Sequence, residues 1–312
     1  MFLLRGISVS LAFYFVLYWS ISLLVSRGWQ IPGRVRGLSP RGMAGLLFAV
    51  RLAPPVVSAL ITLVFVVPSF VRLEPRTIDE DLGIVPLILG VCCLVLFAIG
   101  IVRVVRAQAR TARVIASWME DAHALDLGTS TPTFRARQDI PPLTLAGVCR
   151  PRVVISESTV SILNEDELRM ALRHEIAHLH SRDNLKKLAF HLFPAPGMVK
   201  LESAWLDAAE IAADDRAVAS AQNALDLAAA LIKLSRLVPL QPAPTICMGL
   251  LHPGLISSRV ARLLAWNGNN GASSHKLAWY AAAPALVVLM GTIAVYGPML
   301  AQVHRLTEWI VQ

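Results

Sequence analysis

Four long stretches of the chain contain no charged side chain. They cover residues 6–26, 52–71, 82–102 and 277–303. A helix needs about 20 apolar residues to cross a bilayer, and charge-free runs of this length are rare in soluble cores. We therefore predict four transmembrane helices. The first run lacks a convincing small-residue cleavage site, so we interpret it as a membrane span and not as a signal peptide.

The segments that connect these runs differ in charge. In the first connection all charged residues are arginines, whereas the second contains both arginines and acidic residues. The segment after the third run begins with Arg103, Arg106, Arg110 and Arg113. Short loops rich in Lys and Arg stay on the cytoplasmic side during insertion. This alternation predicts a multi-pass protein of the cell membrane, with both termini outside and the large central segment in the cytoplasm.

This topology divides the chain into three parts. Residues 1–105 would hold three transmembrane helices with short loops, 106–275 a cytoplasmic domain, and 276–312 the fourth transmembrane helix with a short external tail. The net charge of +8 follows largely from the topology. Because no basic-aromatic pattern or finger motif is present, we expect the lipid bilayer as a partner and no direct nucleic acid binding.

The four arginines after the third run are spaced three, four and three residues apart. On a helix this spacing places them along one face. Two interpretations are open for this arginine stripe. It could contact anionic lipid headgroups, or it could be an ordinary solvated helix face.

The central segment begins with patterns typical of short strands, at residues 133–137, 143–148 and 153–156. Asn164 then precedes three acidic residues, as expected for a capped helix start. We therefore predict an α+β domain with a small β-sheet. Its strand 143–148 is our choice for an edge that binds extended substrate. Residues 239–254 are rich in proline and are predicted to form a loop.

A metal-binding pattern follows on the capped helix. His174, Glu175 and His178 form an HExxH motif. Residues four apart lie one helical turn apart on the same face, so both imidazoles can bind one zinc ion. Glu175 is offset around the helix, where it can reach a water on the metal. The pattern predicts one catalytic Zn²⁺ with Glu175 as the catalytic residue.

A catalytic zinc usually has three protein ligands, so one more is needed. Glu210 is the best candidate, because it lies in an alanine-rich helical segment with Asp214 one turn later. Asp214 would then accept a hydrogen bond from a ligand imidazole. The weaker candidates for a ligand are Glu202, Asp207, His180 and His191.

The order of these features resembles the BlaR/MecR-type membrane zinc metallopeptidases. The similar segments are 150–155, 165–168, 174–183, 210–214 and 259–264. The resemblance implies a predominantly α multi-pass membrane protein whose cytoplasmic domain is an α+β zincin-like metallopeptidase. It also implies that Asp183 supports the metal site.

The chain departs from this family in two places. The family's known sensors carry an extracellular penicillin-binding domain after the fourth span, whereas this sequence stops at Gln312, so we do not expect direct β-lactam sensing. Ala213 stands where many members have cysteine. The pair Ala213-Asp214, which ends the segment 210–214, is also similar to the HtpX-type quality-control proteases. These proteases are therefore an alternative family.

Together these features predict a membrane-embedded zinc endopeptidase that cleaves a cytoplasmic or membrane-associated protein. The resemblance implies a signalling role, with a transcriptional repressor or the protein itself as substrate. Two alternatives are open: a quality-control protease, and a non-catalytic membrane scaffold. An intact Glu175 between two histidines argues against the scaffold.

Overall fold

The structure is a computed structural model of the 312-residue chain. It is mostly helical, with one small mixed β-sheet. The residues it describes are 2–29, 38–74, 83–128, 131–137, 140–148, 150–237, 247–249, 255–268 and 296–311.

Three helical segments are long and apolar enough to cross a membrane. They are α1 (Phe2–Gly28); α2 (Pro40–Ile61), which continues through a π-helical turn (Thr62–Val66) into α3 (Val67–Leu73); and α4 (Ile84–Met119). Most of the side chains in their apolar windows are not buried inside the protein, as expected for helices surrounded by lipid. The first three predicted spans are thus helices of sufficient length.

The π-helical turn has a local cause in the sequence. Pro68 lacks a backbone N–H, and a proline ring clashes with the carbonyl four residues earlier in a regular α-helix. The turn widens the helix just before this proline, where the Val67 N–H donates to the Thr62 carbonyl five residues back. The second apolar helix therefore continues past Pro68 without ending.

The predicted fourth span, 277–303, lies mostly outside the described residues. Its end belongs to helix α11 (Tyr296–Val311). A total of four spans is therefore not confirmed. The side of the membrane on which each terminus lies stays a prediction.

Helix α4 continues through the predicted domain boundary at residue 105 without a break. Its last turns leave the apolar stretch and reach the sheet, where Trp118 packs against Ile140 and Val154. The third membrane helix and the following domain are thus joined by one continuous helix. The four residues of the arginine stripe are all exposed along it.

The sheet contains five strands in the order β1-β2-β4-β3-β5. The strands are β1 (His123–Ala124), β2 (Thr133–Ala136), β3 (Leu143–Ala146), β4 (Arg152–Ser156) and β5 (Cys247–Gly249). Strand β2 pairs with β4 in parallel, and the other pairs are antiparallel. The three predicted strands are thus confirmed to within two residues at each end.

The turn between β3 and β4 depends on Gly147. Its φ is +92°, in the region that favours glycine, and a Cβ there would lie 2.9 Å from the Arg150 carbonyl oxygen. The glycine fixes the hairpin register, in which Leu145 faces Val153.

Strand β5 corrects two predictions. It forms inside the segment 239–254, which was predicted to be a loop and of which only residues 247–249 are described. It also pairs with β3. The edge of β3 that we expected to bind substrate is therefore occupied by another part of the chain.

Helices cover one side of the sheet and enclose the core of the domain. They are α5 (Glu157–Ile162), α6 (Glu165–Ser181), α7 (Asp183–Leu192), α8 (Val199–Ala217), α9 (Ala221–Ser235) and α10 (Ile256–Leu264). Asn164 and Glu167 form a reciprocal capping box at the start of α6, which confirms the predicted helix start. The core joins Leu145 and Val153 of the sheet to Ala171 of α6 and Leu227 of α9.

Helix α8 links this domain to the membrane helices. Its first half packs against α2, where Ala44 and Leu47 contact a cluster that includes Leu201 and Trp205. Arg51 of α2 is 1% exposed and donates from Nε to Glu202 at 2.7 Å. The orientation of α8 is therefore fixed from the membrane side.

Helix α4 approaches the domain closely at Gly100. A Cβ at this position would overlap the backbone carbonyl of Leu192, so we expect Gly100→Ala to force α4 away from α7. Overpacking of this kind costs about 1–3 kcal/mol. The midpoint of thermal unfolding in detergent micelles should fall accordingly.

The matched control is Gly45→Ala in α2, where a Cβ would meet nothing within 4 Å. Alanine at an exposed helical position is favoured over glycine by roughly 0.5–1 kcal/mol. This variant should unfold at or above the wild-type temperature. Equal behaviour of the two variants would contradict the packing at Gly100.

Candidate metal centre

Helix α6 presents His174 and His178 on its buried face, one turn apart. Both side chains are fully buried, and their Nε2 atoms lie 3.1 Å from each other. Glu210 of α8 meets them from the opposite side. Its carboxylate oxygens lie 3.4 Å from Nε2 of His174 and 3.5 Å from Nε2 of His178. Two packed helices thus bring three donor groups to one point.

These separations fit a tetrahedral ion. For ligand bonds of about 2.0–2.1 Å, tetrahedral geometry places ligand atoms roughly 3.3–3.4 Å apart. The three measured distances lie close to this value. Two imidazoles and one carboxylate also match the donor set of catalytic zinc sites. The residues present are therefore compatible with one zinc ion.

Each histidine is oriented by a second carboxylate. Asp214, one turn after Glu210 on α8, lies 2.9 Å from Nδ1 of His174. Asp183 lies 2.8 Å from Nδ1 of His178 and also accepts from Lys186 at 2.8 Å. A carboxylate on Nδ1 fixes the tautomer that leaves Nε2 free to bind metal. The predicted supporting residues thus lie where that role requires.

Asp183 reaches His178 because the chain turns sharply between α6 and α7. Arg182, which ends α6 and precedes α7, has a φ of +55° in the left-handed region. Such a residue stops the helix and redirects the next one. Asp183 therefore begins α7 directly beneath His178.

Glu175 lies beside the two histidines and is fully buried. Its Oε2 accepts from the Leu145 amide of β3 at 3.0 Å, whereas Oε1 has no hydrogen-bond partner in the described part of the chain. Burial and the nearby Glu210 raise the pKa of Glu175 to about 8, although His174, the Leu145 amide and Arg259 oppose this shift. The Oε1 atom is therefore the one available to accept and donate a proton.

Arg259 of α10 is a prominent residue of the site that sequence reasoning did not identify as part of it. It is 1% exposed, donates to both oxygens of Asp214 at 2.7 Å, and donates to Glu210 at 2.9 Å. The sequence segment 259–264 carried only a family resemblance. A single arginine in an amphipathic helix does not indicate its partner. The contact of Arg259 with Asp214, 45 residues earlier in the sequence, could therefore not be predicted.

The charges of these groups compensate one another. Burial acts to raise the pKa of Glu210, but His178, His174 and Arg259 hold it at about 2. Burial acts to lower the pKa of His174, but hydrogen bonds to Asp214 and Glu210 raise it to about 9 against the effect of Arg259. Nearby cations thus keep Glu210 ionised despite its burial.

The weaker ligand candidates lie elsewhere. Glu202 is bound to Arg51, His180 is exposed, and His191 lines a separate cleft between α7, α8 and α4. Asp207 is not part of the three-residue cluster that could hold a metal among the described residues. The structure therefore brings together Glu210 and the two motif histidines.

An HExxH helix with a glutamate ligand on a following helix is the arrangement of a zinc-dependent peptidase centre. Comparison with known families agrees with this class. Residues 144–275 match the family model of peptidase family M48, a family of metallopeptidases. The BlaR/MecR-type assignment in particular is not confirmed by this match. No curated protein matches the chain.

Arg259 should be needed for the stability of this centre. Substituting Arg259→Gln leaves Glu210 and Asp214 buried without their shared cation. Removing one partner of a buried ion pair costs about 3–5 kcal/mol. We expect a correspondingly lower free energy of unfolding, measured by denaturant titration in detergent.

Arg262→Gln provides the control on the same helix. Arg262 pairs with Asp215, and both side chains are partly exposed. Loss of such a pair costs at most about 1 kcal/mol. Similar destabilisation by the two variants would show that the buried position of Arg259 is unimportant.

Proposed function

We propose that the protein is a membrane-embedded, zinc-dependent endopeptidase. The observation that carries this proposal is the convergence of His174, His178 and Glu210 at ligand distances beside the free carboxylate oxygen of Glu175. The family match over 144–275 supports peptidase chemistry, and the three long apolar helices support a membrane location.

The protein residues have distinct roles in this proposal. His174, His178 and Glu210 would hold the zinc ion, which would polarise a water molecule and the scissile carbonyl. Asp214 and Asp183 hold the two imidazoles by their Nδ1 atoms. Glu175 accepts the proton of the attacking water on Oε1 and donates it to the nitrogen of the departing amine.

The orientation of Glu175 follows from its contact with the sheet. The Leu145 amide fixes Oε2, so the carboxyl group cannot rotate freely, and Oε1 remains available for the proton. Asn184 of α7 donates to the carbonyls of Leu145 and Gly147, which holds this part of β3 in place. Strand β3 thus positions the catalytic group.

For the biological role, we propose signalling through cleavage of a cytoplasmic transcriptional repressor or of the protein itself. This proposal rests on the resemblance to the BlaR/MecR-type proteins and on the predicted cytoplasmic location of the domain. Quality control of membrane proteins is the alternative to be distinguished by experiment.

The first test measures zinc and proteolysis in the same preparations. Wild-type protein purified in detergent should contain about one zinc ion per chain, whereas His174→Ala and Glu210→Ala should lose it. Glu175→Gln should keep the ion but cleave unfolded β-casein about 10²–10⁴-fold more slowly, because proton transfer is lost.

His180→Ala is the control for this series. His180 lies on the same helix but is exposed, so zinc content and cleavage should stay at the wild-type level. A wild-type protein that neither contains zinc nor acquires it on titration would falsify the peptidase proposal.

The second test addresses the substrate. New protein N-termini are compared in host cells that carry the wild-type chain or Glu175→Gln at its native locus. The signalling role predicts a few sites that depend on Glu175, located in a repressor or in this chain. A broad set of cleaved membrane proteins that grows after heat stress would contradict signalling and support quality control.

A further inference from the structure

A second cleft lies away from the metal centre, where α4 meets α7 and α8. Its volume is about 220 Å³. Arg103 of α4 and Lys187 and His191 of α7 line it, together with Glu202 and Trp205 of α8. Three basic residues from two helices therefore border one open cleft.

The charge of this cleft is predominantly positive. Its lining includes one acidic residue, Glu202, and the carboxylate of Glu202 is bound by Arg51 at 2.7 Å. Arg103 has no ion-pair partner within the described ranges. Burial and the charge of Arg103 lower the pKa of His191, and Lys187 and Arg51 act in the same direction against Glu202. An anion in the cleft would relieve this repulsion.

The cleft lies at the end of the apolar layer. Arg103 is the first charged residue after the third apolar run, and the preceding Ile101 and Val102 are exposed, as lipid-facing side chains would be. Arg51 directly precedes the second apolar run. Because both arginines adjoin the same cleft, the cleft opens at the depth where phospholipid headgroups lie.

The walls suit an amphipathic ligand. Phe190 and Trp205 pack edge to face with ring centroids 5.0 Å apart, and both line the cleft. The indole Nε1 of Trp205 is buried and has no hydrogen-bond partner in the part of the chain that the structure describes. Aromatic side chains with an N–H donor are typical of membrane interfaces.

We propose that this cleft binds the phosphate group of an anionic phospholipid, with Arg103 and Lys187 as the phosphate-binding residues. Charge-assisted hydrogen bonds to phosphate are among the stronger polar contacts in proteins. The glycerol and acyl chains extend along the apolar surface of α4 next to Ile101 and Val102. This inference does not depend on peptidase activity.

A bound headgroup would bridge α4 and α7 at the cleft, close to their contact at Gly100. The first residue of α7, Asp183, holds His178 of the metal centre. Lipid binding therefore stabilises the part of the domain that supports the site. The expected result is a higher midpoint of thermal unfolding in micelles that contain the anionic lipid.

The test uses the full chain and two defined lipids, phosphatidylglycerol and phosphatidylcholine with identical acyl chains. Native mass spectrometry in detergent counts the retained lipids and gives their affinities. Wild-type protein should retain phosphatidylglycerol in preference to phosphatidylcholine. The double variant Arg103→Gln, Lys187→Gln should bind phosphatidylglycerol about tenfold more weakly or worse, because charge-assisted hydrogen bonds are lost.

The matched control is the double variant Arg110→Gln, Arg113→Gln. It removes the same charge from the arginine stripe on α4, outside the cleft, and should keep the wild-type affinity. Equal weakening in both double variants would mean general attraction to a basic surface and would overturn the proposal. Arg103→Lys, which keeps the charge, should retain most of the binding.

Two further measurements keep the result interpretable. The unfolding midpoint in detergent micelles that contain phosphatidylcholine shows whether each variant is folded. If the double variant is unfolded, Arg103→Gln alone replaces it. Inorganic phosphate and glycerol 1-phosphate are added as competitors at millimolar concentration. If either one displaces the lipid completely, the cleft is a site for a small anion and the lipid proposal is wrong.

Discussion

The domain depends on the burial of Arg259 between Glu210 and Asp214. Two carboxylates cannot be buried side by side on one helix unless cations compensate them, since the cost of desolvating an unpaired charge is several kcal/mol. Arg259 supplies that compensation. The ion pairs of Arg259 therefore hold α10 against α8, while Leu263 of α10 belongs to the same core cluster as Leu227 of α9.

Helix α8 connects the metal centre to the apolar helix α2. Its first half packs through Leu201 and Trp205 on α2, and its second half bears Glu210 and Asp214. The helix has 19 residues and is therefore about 28 Å long. One helix thus contacts both α2 and the helix that bears the two histidines, α6. The ion pair between the buried Arg51 and the partly exposed Glu202 adds a directional contact to this packing.

The parts of the fold that sequence could predict are those determined by local chemistry. The apolar runs, the capped helix start at Asn164 and the three short strands each depend on residues within a few positions of one another. The two motif histidines belong to the same category, because one helical turn places both on one face. Glu210 was found through its own helical context, with Asp214 one turn later, although its distance from the histidines had to come from the structure.

The features that could not be predicted depend on contacts distant in sequence. Strand β5 lies in a segment rich in proline, and we therefore predicted a loop there. The strand itself, Cys247–Gly249, contains no proline, and it pairs with one neighbouring strand. That neighbour, β3, also fixes Glu175 through the Leu145 amide. Prolines limit where a strand can begin and end. Whether a strand forms between them depends on pairing with another strand, which the local sequence does not show. Because β5 pairs with β3, the backbone edge of β3 that we predicted to bind substrate is already hydrogen-bonded within the chain.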